Sequence, residues 1–305
     1  MGCRTEPRSY GGGNSGAYAV VAVLQAGLAL PMYLCPHETA EFLFGAAALP
    51  HIALHVPLAR LLAVGLVASA GGALGLMGAA ERQDLNRRVF QRLNLSLLAL
   101  AGTAAALEAL YLPIFTPAGL AAGAFVSLPA LLVSAVHYQR TSGHGANPLP
   151  VLAGAAKSVA QLASIRDSSA RLYSLLTAAI AGAGIAYLLA PQSSLAAVFG
   201  PPGSLGWAPS RLDVEVLWRM LGGALLSLTP WTYSLKGGAE ANLLWRRPFP
   251  LLNAGLTLVA AAHVLLLGPL LITGECGKWL PAVFGTWGLA LCTFTYHWLK
   301  NIGPK

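Results

Sequence analysis

Eight stretches of about twenty mostly apolar residues constrain this chain more than any other feature. They run over 17–34, 57–80, 93–112, 118–138, 172–190, 214–235, 249–272 and 279–299. A helix of that length crosses the hydrocarbon core of a bilayer and satisfies its own backbone there. Charged residues make up only 10% of the 305, against about 25% in an ordinary soluble domain. That excludes a disordered chain and argues against a soluble enzyme, which needs a charged surface. Pro36, Pro113, Pro117, Pro191 and Pro201-Pro202 fall between the runs, where helices should stop or start.

Charge placement gives orientation. Fifteen of the nineteen Lys and Arg fall in the termini and in alternate connections; the exceptions are Arg60, Arg211, Arg219 and Lys278. The positive-inside rule then puts both termini on the cytoplasmic side. The reading divides the chain into a cytoplasmic tail (1–16), a first four-helix unit (17–138), a cytoplasmic linker (139–171) and a second four-helix unit (172–305). The linker reads either as a mobile connection or as an amphipathic surface helix, with Lys157, Arg166 and Arg171 between apolar positions.

The two halves match each other. PHETAEFLFG (36–45) aligns with PQSSLAAVFG (191–200) at an offset of 155, together with Gly27/Gly182 and Leu34/Leu189. After a connection four residues longer in the second half, the offset becomes 159. Arg60 then meets Arg219, Glu81 meets Glu240, Arg87-Arg88 meets Arg246-Arg247, and Asn94 meets Asn253. Charged and amide side chains are few and costly near lipid, so their recurrence at one offset signals duplication. Four spans per unit is an even number, so the units run in the same direction. The expected fold is an all-α integral membrane protein of eight transmembrane helices in two tandem parallel units.

The segment WRMLGGALLSLTPWTYSLKGGAE (218–240) resembles the second helix of the p53-inducible protein eleven family of four-span membrane proteins. LLAPQSSLAAVFG (188–200) resembles that family's first-helix exit. The shared features are R-x-x-G-G-A-L-L-S (219–227) and an Arg separated from a Glu by twenty residues, here Arg219 and Glu240. The first half keeps Arg60 and Glu81 but reads RLLAVGLVAS between them, a diverged copy. The resemblance implies fold and membrane placement, and carries no catalytic residues.

The polar positions supply the candidate sites. Arg60 and Glu81 stand about 31 Å apart along one helix, so they mark its two ends and cannot pair. Arg87 and Arg88 can neutralise Glu81 across a short turn, as Arg246 and Arg247 can neutralise Glu240. The same four arginines are candidate ligands for lipid phosphate or another anion. Arg60, Arg219, Asn94 and Asn253 read as structural polar positions, Arg60 beside Glu38 and Glu41, Arg219 beside Asp213 and Glu215. Glu108, near the end of its span, is expected to snorkel.

His263 lies mid-span, where ionisable groups are expensive and often functional. As a neutral imidazole it can bond a neighbouring helix, relay protons, or bind haem or chlorophyll. The four cysteines fit neither a zinc site nor a disulfide framework, and no metal site is expected; a Cys35–Cys276 pair stays open. Hydrolase, metalloprotease, phosphate-loop and dinucleotide motifs are absent from the sequence. No basic stripe interleaved with aromatics suggests nucleic-acid binding. The expected partners are membrane lipids and other membrane proteins. The expected role is a non-catalytic scaffold or accessory subunit; the alternative is a transporter or lipid-binding protein with its site between the units.

Overall fold

The computed structural model describes residues 15–141, 153–154, 156–157, 160, 162–274 and 276–302. Most of the N-terminal tail with Cys3, and much of the linker, lie outside the described residues. Among the described residues, ten α-helices of nine residues or more carry the fold, and no strand occurs. They are α1 (Ser15–Leu34), α2 (Pro36–Phe44), α3 (His55–Glu81), α4 (Arg88–Leu110) and α5 (Pro117–Thr141). After the linker come α6 (Ser168–Leu189), α7 (Pro191–Phe199), α8 (Leu212–Glu240), α9 (Phe249–Thr273) and α10 (Leu280–Ile302).

Six of these, α1, α3, α4, α5, α6 and α9, are long and apolar enough to cross a membrane. The protein is thus a helical bundle with the character of an integral membrane protein. Helices also form over the remaining two expected spans. There α8 is diluted by Ser227, Thr229, Pro230, Thr232, Tyr233 and Ser234, and α10 by Thr286, Thr293, Thr295, Tyr296 and His297.

Local chemistry sets the helix ends. Proline opens both nine-residue helices, α2 and α7, and a glycine at positive φ ends each: Gly45 at 56° and Gly200 at 92°. The long helices α3 and α8 close in the same way. The amide of Asp84 bonds Ala79 O (2.8 Å) and that of Gln83 bonds Ala80 O (3.1 Å), with Gln83 left-handed at φ 57°. In α8 the amides of Leu243 and Asn242 bond Gly238 O (2.8 Å) and Ala239 O (3.0 Å), with Asn242 at φ 52°. Both ends are Schellman turns that satisfy the last carbonyls. At the start of α6, Asp167 accepts from Ala170 N at 2.6 Å.

Helix α1 packs on α3, and α6 on α8. Across the middle, α4 lies on α8, α9 lies on α3, and α3 touches α8. Glycine lets these helices approach closely. A Cβ on Gly72 of α3 would stand 2.6 Å from Trp231 of α8, and one on Gly255 of α9 3.1 Å from the same ring. One on Gly223 of α8 would stand 2.5 Å from Thr103 of α4. Large apolar side chains such as Val23, Leu132, Leu265 and Ile272 point outward, as lipid-facing positions do.

Candidate functional site

The densest polar group sits where the first turns of α3 and α8 meet. This is the opposite end of α3 from the arginine-bearing turn at 82–88. His55, the first residue of α3, and Asp213, the second of α8, are both fully buried. The Nε2–H of His55 donates to Asp213 Oδ2 at 2.6 Å. Arg211 grips the same carboxylate in bidentate fashion, Nε to Oδ1 at 3.0 Å and Nη2 to Oδ2 at 2.9 Å, while its Nη1 donates to Pro50 O at 2.9 Å. Burial alone would raise the Asp213 pKa. The bonds from His55 and Arg211 outweigh it and hold the carboxyl at about 2, so it stays ionised.

A second network lies two residues further along α8. Glu215 accepts from Tyr111 at 2.7 Å, from Arg219 Nε at 3.0 Å and from Gln192 at 3.4 Å. Arg219 Nη1 donates to Leu188 O at 2.5 Å. The ends of α4, α6 and α7 are thereby tied to α8. Of the two carboxylates expected near Arg219, Glu215 is its partner. Arg60 instead donates to Tyr33 O at 3.1 Å and covers the Tyr33 ring.

Beside His55 stand His37 of α2 and His51 of the α2–α3 connection. One nitrogen from each of the three rings lies within 4.8 Å of the others. They form the one group of three or more potential metal-ligand side chains among the described residues. His37 Nδ1 is buried and has no hydrogen-bond partner. Burial, then the neighbouring His51 and His55, lowers the His37 pKa and favours the neutral ring. Sequence reasoning missed this trio. The available signal was His51-x-x-x-His55 with His37 close by, three of the seven histidines in one short stretch.

At the other end, Arg87, Arg88, Arg246 and Arg247 are all exposed. Arg87 pairs with Asp84 at 2.8 Å rather than with Glu81, because the Schellman turn brings Asp84 back beside it. Glu240 pairs with Lys236 one turn earlier on its own helix, at 2.9 Å, and Arg246 covers the Trp245 ring. Arg92 lies over Tyr233 at 4.3 Å.

Inside the bundle, Asn94 and Asn253 are fully buried. Tyr18 of α1 donates to Asn94 Oδ1 at 2.6 Å, and Tyr173 of α6 donates to Asn253 Oδ1 at 2.8 Å. Burial also removes Asn94 from any glycosylating enzyme, although Asn94-Leu95-Ser96 matches a sequon. Tyr18→Phe and Tyr173→Phe should each cost about 1 kcal/mol, the scale of an interhelical hydrogen bond in a membrane. Denaturation in mixed micelles measures both; a loss at only one site would break the equivalence of the two pairs.

His263 donates Nδ1–H to Val259 O in its own helix at 2.8 Å and stacks on Trp287 of α10, ring centroids 3.8 Å apart. Glu108 does not snorkel: it is buried, accepts from Ser127 at 3.1 Å and fills the space that Gly123 leaves open. Glu108, Ser127 and Gln25 line an otherwise apolar cavity of about 70 Å³, which Met220 of α8 also reaches. The Gln25 Oε1 is buried without a partner. Cys35 and Cys276 are free thiols. No protein-family model matches this chain, and no curated protein matches it significantly.

Proposed function

We propose that the chain is a non-catalytic scaffold or accessory subunit of a membrane assembly. It is built from two tandem four-helix units that run in the same direction, eight spans in all, with both termini on the cytoplasmic side. The packing across the middle carries this reading. Gly72, Gly255 and Gly223 admit Trp231 and Thr103 at distances that leave no room for a passage at those points. The matched elements support the duplication: paired nine-residue helices, paired Schellman turns at Gln83 and Asn242, and paired Tyr–Asn bonds. The likeness of 218–240 to the p53-inducible protein eleven family agrees with a four-span repeating unit.

A second reading, lipid binding, is favoured by the cavity that Gln25, Glu108 and Ser127 line together with Met220 of the other half. An unpaired polar atom, Gln25 Oε1, at the edge of an apolar hole suits a ligand with a hydrocarbon body and a hydroxyl or amide head. The exposed arginines offer anion contacts at the cytoplasmic face, and His263, packed on Trp287, serves helix packing. Native mass spectrometry from mild detergent separates the readings. Protein partners that stay bound support the scaffold; a single chain carrying lipid supports the alternative and sinks the scaffold.

A further inference from the structure

We propose that His37, His51 and His55 form a zinc-type divalent-cation site, with Asp213 of the second half positioning His55. A zinc–imidazole bond is about 2.0–2.1 Å, so nitrogens on one tetrahedral ion stand about 3.4 Å apart. The three ring nitrogens are already within 4.8 Å of one another. Closing the remaining gap takes movements of about 1 Å. His51 is exposed and His37 half-buried, so both rings can turn. His55 cannot, because Asp213 and the first turn of α3 hold it.

The donors suit the ion. Three neutral imidazoles without thiolate select zinc and its late transition-metal neighbours over calcium and magnesium, which take oxygen. The His37 Nδ1 is a buried ring nitrogen with no hydrogen-bond partner. An unpaired buried polar atom is costly, and a cation would satisfy it. In His55 the proton on Nε2 faces Asp213, which leaves the lone pair on Nδ1. Only the Ile52 amide approaches that lone pair, at a long 3.4 Å. A carboxylate behind a ligating histidine fixes its tautomer and raises its basicity. The exposed Glu41, whose Oε2 is 3.9 Å from His51 Nε2, can swing in as fourth ligand. Four protein ligands close the site, the pattern of a structural rather than a catalytic ion.

The matching positions in the second half hold Gln192, Ser210 and Val214, so the site belongs to the first half alone. Its link to the second half is Asp213. A bound ion would therefore clamp α2, the α2–α3 connection and α3 together, and through Asp213 would brace the junction with α8.

Tag-free, full-length protein in mild detergent is stripped with chelator, loaded with zinc, and gel-filtered before elemental analysis. About one zinc per chain is expected. His51→Ala, at an exposed position, should elute unchanged and hold zinc at least ~100-fold more weakly, while His263→Ala keeps it. Cobalt in place of zinc should give tetrahedral visible absorption that His51→Ala abolishes. Asp213→Asn should weaken zinc by roughly 10–100-fold and shift the cobalt bands, a change that loss of stability alone would not produce. If Asp213→Asn does not fold, His51→Ala alone decides. Wild-type protein that retains no zinc, or zinc retention unaffected by His51→Ala, overturns the proposal.

Discussion

Asp213→Ala should destabilise the folded bundle by about 3–5 kcal/mol, the cost of breaking a buried ion pair by removing one partner. The side chain is 1% exposed, and it is the common acceptor for Arg211 and for His55. Its removal leaves the guanidinium of Arg211 and a fully buried imidazole without that acceptor, at the junction of α3 and α8. Replacing every partner by apolar groups avoids most of this penalty. Asp213→Leu combined with His55→Leu and Arg211→Leu, which leaves neither the imidazole nor the guanidinium unpaired, should therefore recover a large part of the loss. The pH dependence has a defined sign. The folded pKa lies below the ordinary 3.8, so the contribution is fully present above about pH 4 and disappears as pH falls through about 2. The shift corresponds to about 2 kcal/mol. Denaturant titration in mixed micelles reads both effects. A loss under about 1 kcal/mol for Asp213→Ala would mean that the network does not hold the junction.

The apolar runs made the helices legible because bilayer thickness, not tertiary context, sets their length. Their ends were legible from proline and charge. The short helices α2 and α7 were read only as connections: nine residues of mixed polarity carry too little periodicity to announce a helix. Asn94 and Asn253 stood out through their common offset. Tyr18 and Tyr173 did not, because tyrosine is common at bilayer interfaces and the pairing crosses from one helix to another. Glu108 was misplaced for a related reason. Its position in the span gives its depth but not its direction, and it faces Ser127 and Gly123 rather than the interface. The histidine trio was close in sequence, yet each ring alone reads as an ordinary interfacial residue. What gathers them is the fold of the α2–α3 connection, and what fixes His55 is a carboxylate 158 residues away.

Gly222→Leu should cost at least about 3 kcal/mol, the upper end for overpacking. At Gly72, Gly223 and Gly255 a new Cβ meets side chains. Here it meets backbone, as it would at Gly119 and Gly277. A Cβ on Gly222 of α8 would stand 2.9 Å from Gly184 O and 3.0 Å from Leu188 N, both on α6. Reciprocally, a Cβ on Gly184 would stand 2.9 Å from Gly222 O. The two helices must separate to admit a side chain, and the stacked Tyr187–Trp218 rings, with centroids 3.8 Å apart, must separate with them. The first half holds Ala29 and Ala63 at the matching positions, both buried in the α1–α3 contact. Small residues are thus needed at this crossing in either half, and Gly222→Ala, which already adds the clashing Cβ, should destabilise too, though less than Gly222→Leu. The control is Gly71→Leu or Gly75→Leu, where no atom lies within 4 Å of the added Cβ and the change should stay within about 0.5 kcal/mol. Equal changes at Gly222 and Gly71 would overturn close approach as the reason for glycine at 222, since helix propensity alone favours leucine at both. A selective loss at Gly222 assigns the first glycine of R-x-x-G-G-A-L-L-S to close approach of α6 and α8.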